Sequence, residues 1–444
     1  MHSDDSGGGA GTRFSRRRVL QALGGAGTLS MAGCMGSGGS GGGTETAAGP
    51  PTIALSTPDS GRYAPIGEHE RNGFELAIDH LNNGGGLVSG EQFDNLSGDG
   101  VLGRTIESEI FDSESDASTA EANVRQRLEN DEIDMFTGGI AGNVVRAHRD
   151  LADEYSIPYF VGSSTLDELT GSNCSPHVYR ELFNSTTLAR SLVPTIASDL
   201  GDNTFFFQIH TDTPEGRDFK NSINDVATGD DFGWTPSGNV AVRSGSTDFR
   251  SALSQAASNN ADVVFLDLLG LDAVNAIQQA RDLLREETVV AVPFLTQSVA
   301  DSLGERVDGI YGTVGWHENL DTPLSTDFSD AYQNAYGGTV GTTSLVPPGP
   351  AQNTYGQVLL YASAVEATGS FDPAAVRDTL EGFEYALGAG AERMRACDHQ
   401  AQRAVPVVRG GADTDSVGNY FELLRGHRDM EPACDEEPAA SCSL

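Results

Sequence analysis

Lysine is almost missing from this chain. Lys220 is the single one in 444 residues, and the 27 basic residues are otherwise arginines. Against them stand 64 Asp and Glu, for a formal charge of -37. No basic footprint is available to neutralise phosphates, which excludes a nucleic-acid partner. Long apolar runs are also lacking: the longest candidate, residues 19–32, is broken by three glycines and falls short of the ~20 residues a membrane span needs. The phosphate loop G-x-x-x-x-G-K-[ST] is absent, since Lys220 stands in no such setting. There is no H-E-x-x-H, no Cys/His spacing of a metal site among the nine histidines, and no G-x-S-x-G nucleophile elbow. No cofactor, no metal and no catalysis are expected. No period of 20–50 residues is visible, so a repeat array is excluded too.

What is present begins with residues 15–34, SRRRVLQALGGAGTLSMAGC, which run from basic through apolar to small residues and one cysteine. That order builds a secretory signal rather than a folded element. Arg16-Arg17 with Val19-Leu20 resembles the twin-arginine export address. Met31-Ala32-Gly33-Cys34 resembles a lipobox, at which the chain would be cut and Cys34 lipidated. The mature protein is then expected on the outer face of the cytoplasmic membrane, held by lipid. Residues 35–51 are mostly Gly, Ser and Thr without apolar period, a flexible tether of roughly 20 Å reach. Dense carboxylates with almost no lysine resemble the proteins of salt-loving archaea. Self-repulsion of such a surface fades in molar salt, where the Debye length is ~3 Å; simple acidity would account for the charge but not for the missing lysines.

From about residue 52 onward the chain is too long for one ordinary core and alternates strand with helix, the pattern of parallel α/β architecture. Residues 52–56, 106–111, 133–137 and 157–161 read as strands, with helices over 67–81, 118–128 and 144–155. The alternation continues with strands at 204–209, 240–243, 262–267 and 289–295 and helices at 215–226, 249–258 and 271–284. Helices at 324–336, 354–368 and 373–383 follow. The expected fold is α/β, with two doubly wound parallel-sheet lobes joined by a hinge. Residues 52–180 with 317–395 are assigned to the first lobe, 181–316 with 396–430 to the second, and 431–444 to a tail.

Several segments resemble one family in their order and spacing. They are Ser60-Gly61 with Gly67, then Asn72-Gly73-Phe74-Glu75-Leu76-Ala77, the helix end Leu81-Asn82-Asn83-Gly84-Gly85, Tyr355-Gly356 opening a long helix to Gly369, and Asp398-His399-Gln400. The family is that of the type I periplasmic binding proteins of ABC importers, in the branch that takes branched-chain amino acids, amides and urea. The resemblance implies a monomer that captures a small polar solute between its lobes by hinge closure and delivers it to an ABC permease with its ATPase. A ligand-sensing partner of a membrane receptor and, more distantly, a secreted α/β hydrolase remain alternatives.

In doubly wound sheets ligands bind beyond the carboxyl ends of the strands, where loops meet helix N-termini. Gly138-Gly139-Ile140-Ala141-Gly142-Asn143 is such a loop. The resemblance puts Gly142 where a carboxylate-binding serine often stands, leaving backbone N–H groups and Asn143 to bind; a tight turn explains any one glycine equally well. Ser163, Ser164 and Thr165 form the second loop, with hydroxyls for a carboxylate or an N-cap cluster. Tyr63 and Ile66 lie in the first loop, where the family places an aromatic lid. In the second lobe, Thr213 and Leu269 replace family aromatics. Gln297 stands near the position of the acid that neutralises an α-ammonium, a charge it cannot supply. Asp267 at a strand end is a substitute for that acid, or a solvated capping carboxylate. Beyond Cys34, the cysteines Cys174, Cys397, Cys434 and Cys442 fit an exported protein and allow three pairings or free thiols. The expectation is Cys174–Cys397 with a local Cys434–Cys442 bridge.

Overall fold

The structure, a computed structural model, describes residues 49–90, 93–130, 132–201, 203–337, 346–411 and 420–444. The export signal with Cys34, and the tether up to residue 48, lie outside the described residues.

The first lobe is built on five parallel strands: β1 (Thr52–Thr57), β2 (Glu107–Asp112), β3 (Met135–Gly138), β4 (Tyr159–Val161) and β5 (Val178–Tyr179), ordered β2-β1-β3-β4-β5. Helices α1 (Ala64–Asn83), α2 (Ala117–Leu128) and α3 (Gly142–Tyr155) connect them. Helix α1 begins three residues before the expected start, because Pro65 suits a first helical turn. Ile66, expected in the loop, therefore sits in that first turn with its side chain buried.

The chain then passes to a second sheet through α4 (Ser185–Leu200). Its parallel strands are β6 (Phe205–Thr211), β7 (Thr235–Val242), β8 (Val263–Asp267), β9 (Val289–Phe294) and β10 (Tyr311–Thr313). Between them lie α5 (Pro214–Thr228), α6 (Arg250–Ser258), α7 (Gly270–Leu283) and α8 (Gln297–Leu303). Strand β7 is longer than its apolar stretch suggested. It starts at Thr235 and carries Pro236 and Gly238, which an edge strand tolerates because one side of its backbone faces outward.

Helices α9 (Thr322–Tyr336), α10 (Gly349–Thr368) and α11 (Pro373–Leu380) return to the first lobe, where they share one apolar core with β1, β3 and α1. Helix α10 is buried along residues 349–365, and its buried polar residues are partnered where they face backbone, Gln352 donating to the Leu387 carbonyl and Gln357 to that of Val161. It crosses α1 closely at Gly73: a β-carbon there would stand 2.0 Å from the carbonyl oxygen of Ala351. A small antiparallel sheet, β11 (Glu384–Tyr385), β12 (Glu392–Met394) and β13 (Ala401–Gln402), packs into the same core. The chain then crosses a third time to β14 (Val405–Gly410) and β15 (Phe421–His427), which add an antiparallel edge to the second sheet in the order β15-β14-β10-β9-β8-β6-β7.

Two lobes of parallel α/β thus stand as expected, while β5, β10 and the antiparallel strands after residue 380 are too short or too irregular to announce themselves by periodicity. The cysteine pairing is corrected. Cys174 is bonded to Cys442 and Cys397 to Cys434, with Cα–Cα distances of 5.5 and 6.1 Å. The tail runs from beside the Asp398 turn to the loop before β5, so its two cysteines face different partners instead of each other.

Where the three crossings meet, Arg403 is fully buried. It donates to the Gly315 carbonyl (3.0 Å), to Glu181 (3.3 Å) and to Gln352 (3.3 Å), and lies 3.8 Å from Glu392. Burial raises both glutamates above the ordinary carboxylate range. Removing the guanidinium would leave two buried carboxyls without it. Arg403→Met should therefore destabilise the chain by about 3–5 kcal/mol in denaturant unfolding. A loss under about 1 kcal/mol would show that the cluster does not hold the crossings.

Candidate ligand-binding site

A cavity of about 340 Å³ opens between the lobes, at the carboxyl ends of both parallel sheets. From the first lobe it is lined by Tyr63, Ala141, Gly142 and Asn143, and from the second by Thr213, Glu215, Asp267 and Leu269. Arg62 stands at its margin, donating to Ser244 of the second lobe and lying 5.9 Å from the Tyr63 ring centre. Tyr63 packs against the second lobe's apolar cluster with Leu269, and burial raises its hydroxyl pKa.

Each lining residue arrives by a local rule. Gly142 and Asn143 open α3, whose N-terminus has no side-chain cap; Val144 gives its N–H to the Ala141 carbonyl (2.9 Å), and no side chain takes the N–H groups of Gly142 and Asn143. Thr213 caps α5: its hydroxyl accepts from the Gly216 N–H (3.2 Å) and pairs with Thr211 (2.9 Å), which makes it a capping residue at the cavity wall. Leu269 precedes α7 and is buried. Asp267 ends β8 fully buried. Its Oδ2 accepts from Gln208 (3.1 Å), its Oδ1 has no partner, and burial holds it well above the ordinary carboxylate range. The solvated-carboxylate reading of Asp267 is therefore overturned.

The hydroxyl loop after β4 is placed differently from expectation. Ser163 gives its backbone N–H to Glu70 of α1 (2.8 Å), and Glu70 also accepts from Thr57 (2.7 Å). Ser164 donates its hydroxyl (2.9 Å), and Thr165 its N–H (2.8 Å), to Oε1 of Glu215. The donors expected to hold a solute's carboxylate thus hold a carboxylate of the other lobe. Gly142 fits the same picture: a β-carbon there would stand 3.1 Å from Glu215 Oε2. A serine at 142 would crowd the side chain that has come across the cleft. Gln297 is not brought to this cavity; it lines a separate small hollow with Trp316, His317 and Tyr420. Ile66 lies in the core rather than at the lid.

Sequence reasoning missed Glu215 and Arg62. The available signal was a Pro-Glu pair opening a helix at a strand's carboxyl end, but an acid in a first turn is an ordinary favourable neighbour of the helix dipole. Among the described residues no group of His, Cys, Asp and Glu could hold a metal ion, and no helix is long and apolar enough to cross a membrane.

A family model described as periplasmic binding protein matches residues 50–415. The chain belongs to that family. Among curated relatives of this periplasmic binding protein, the Leu/Ile/Val-binding protein homolog 8 of Brucella abortus (strain 2308) is 25% identical over 294 residues, 63% of this chain and 68% of that one. An amino acid ABC transporter substrate-binding protein from Pseudomonas fluorescens Pf-5 superposes with a TM-score of 0.79 at 22% identity, covering 90% of this chain and 100% of that one. A solute-binding protein of an ABC transporter from R. palustris, solved with benzoate, gives a TM-score of 0.71 at 20% identity, covering 89% and 100%. At these identities the solved structures speak for the fold.

Burial pushes Glu70 and Glu215 each from 4.5 up to about 7, against the hydrogen bonds that favour their ionised forms. A carboxyl raised in the fold contributes stability that is whole below about pH 4.5 and is lost as pH rises through about 7. Burial raises other carboxyls too, Asp167 and Asp218 among them, so the contribution must be isolated by difference. Between pH 4.5 and 7 the unfolding free energy of the parent chain should fall more than that of Glu70→Gln or Glu215→Gln, by up to on the order of 3 kcal/mol per site. Parallel curves would refute the assignment.

Proposed function

We propose that this periplasmic binding protein captures a small polar solute, of the amino acid, amide or urea class, in the cavity between its lobes and passes it to an ABC permease. The observation that carries the proposal is the cavity itself: both lobes contribute to its wall, and it lies beyond the strand ends where α/β sheets take ligands. The relatives named above support the solute-binding role by the names they carry, and the R. palustris protein extends the range to a small aromatic acid. Capture is by closure of the lobes about the three crossings, where Trp316 is buried and donates to Gly388 (3.0 Å). The role proposed is binding without turnover.

A thermal-shift screen of the mature chain in molar salt, against amino acids, amides, urea and benzoate with tryptophan fluorescence in parallel, tests this. At least one class should raise Tm by several degrees and change the emission; silence across the panel would count against solute capture.

The proposal includes export by the twin-arginine signal and anchoring through a lipid on Cys34, after which the tether leaves the body free above the membrane. The Met-Ala-Gly-Cys sequence supports it. In the native host the protein should fractionate with membranes and be released by Cys34→Ala. An unchanged distribution in the variant would remove the lipid anchor while leaving solute binding untouched.

A further inference from the structure

The cavity has an unusual electrostatic content for a protein expected to hold carboxylates. Glu215 is 4% exposed and Asp267 is 0% exposed, and both line it. Each carboxylate has one oxygen satisfied and one without any hydrogen-bond partner: Oε2 of Glu215 and Oδ1 of Asp267. A buried polar oxygen left unpaired costs free energy and asks for a donor. The two come from different elements, the first turn of α5 and the end of β8, and they share one chamber. Asp212, also at the wall, is exposed and paired with Arg217. The only guanidinium at the wall among the described residues is that of Arg62, exposed at the margin and engaged with Ser244 and the Tyr63 ring.

The second observation concerns the donors. Ser164 Oγ and Thr165 N are spent on Glu215 Oε1, and a β-carbon at Gly142 would stand 3.1 Å from Glu215 Oε2. A solute carboxylate placed there would find the Ser164 and Thr165 donors taken and would lie beside two buried acids whose ionised forms carry its own sign. Glu215 is in effect a built-in carboxylate that has moved into the place of the ligand's.

We propose that the solute is an N–H-bearing organic cation without a carboxylate at this end, an amine or amidine whose N–H groups bond the free oxygens of Glu215 and Asp267. This rests on the solute-binding reading above and narrows it. Binding of the cation supplies donors to both orphan oxygens and a counter-charge to both carboxylates, so charge-assisted bonds form where unpaired ones stood. Burial raises both groups, with Asp218 acting in the same sense on Glu215, and with Arg180 and Lys220 opposing it at Glu215 and Asp267 respectively. A bound cation further favours their ionised forms, and its binding releases protons.

The test uses matched pairs on the mature chain in molar salt, which suppresses loose binding of cations to the acidic surface. Each pair is an amine and its parent amino acid: isopentylamine with leucine, phenethylamine with phenylalanine, agmatine with arginine. By calorimetry at least one amine should bind about tenfold or more tightly than its parent, with proton release seen as a dependence on buffer ionisation enthalpy. Glu215→Gln and Asp267→Asn should each weaken that amine about tenfold or more and narrow the gap to its parent. Because the comparison within a pair is made on one protein, it stands even if a variant folds poorly. Parents binding as tightly as their amines, or no amine binding, overturns the assignment. If amino acids, amides or benzoate then bind, solute capture survives without it; if nothing binds, both fall.

Discussion

The Arg403 guanidinium lies where three passages of chain run between the sheets, and it touches the other two: Glu181 from the first and the Gly315 carbonyl from the second. Glu392 and Gln352 complete its surroundings from the first lobe, and Tyr385 donates to the far oxygen of Glu181. A buried charge is tolerable only with partners, so the three passages are obliged to stay together whatever the lobes do. Any change in the angle between the lobes has to be taken up by backbone on either side of this knot. The cavity lies between the sheets that the knot joins, and its shape is set by how the lobes meet there.

Most of the architecture was legible because it follows from periodicity. Apolar runs such as residues 263–266 and amphipathic helices such as α3 state their own class, and glycines such as Gly369 mark their ends. What could not be read depends on contacts distant in sequence. Strand β14 pairs antiparallel with β10 only after the chain has left the second lobe and crossed back to it. The cysteine pairing follows the path of the tail and not the spacing of its members.

The binding loops divide in the same way. The Gly142 and Ser163–Thr165 segments could be placed at strand ends from local pattern alone. Their partners could not: whether a serine hydroxyl meets a solute or Glu215 depends on which side chain of the other lobe stands opposite. Gly142, a departure from the family pattern in sequence, acquires a reason once Glu215 is seen 3.1 Å from where its β-carbon would be. Gln297 shows the converse, a position matched by resemblance that faces another hollow.

The Cys174–Cys442 bridge ties the end of the chain to the loop before β5, and β1, the first strand, lies in the same sheet. Both ends of the folded body are thereby fastened to one half of it. Tension applied at either end, by a tether or by a docked neighbour, would be borne by that half alone. The other half is joined to it by four passages of backbone, the last leading from β15 into that bonded tail, and carries neither end itself.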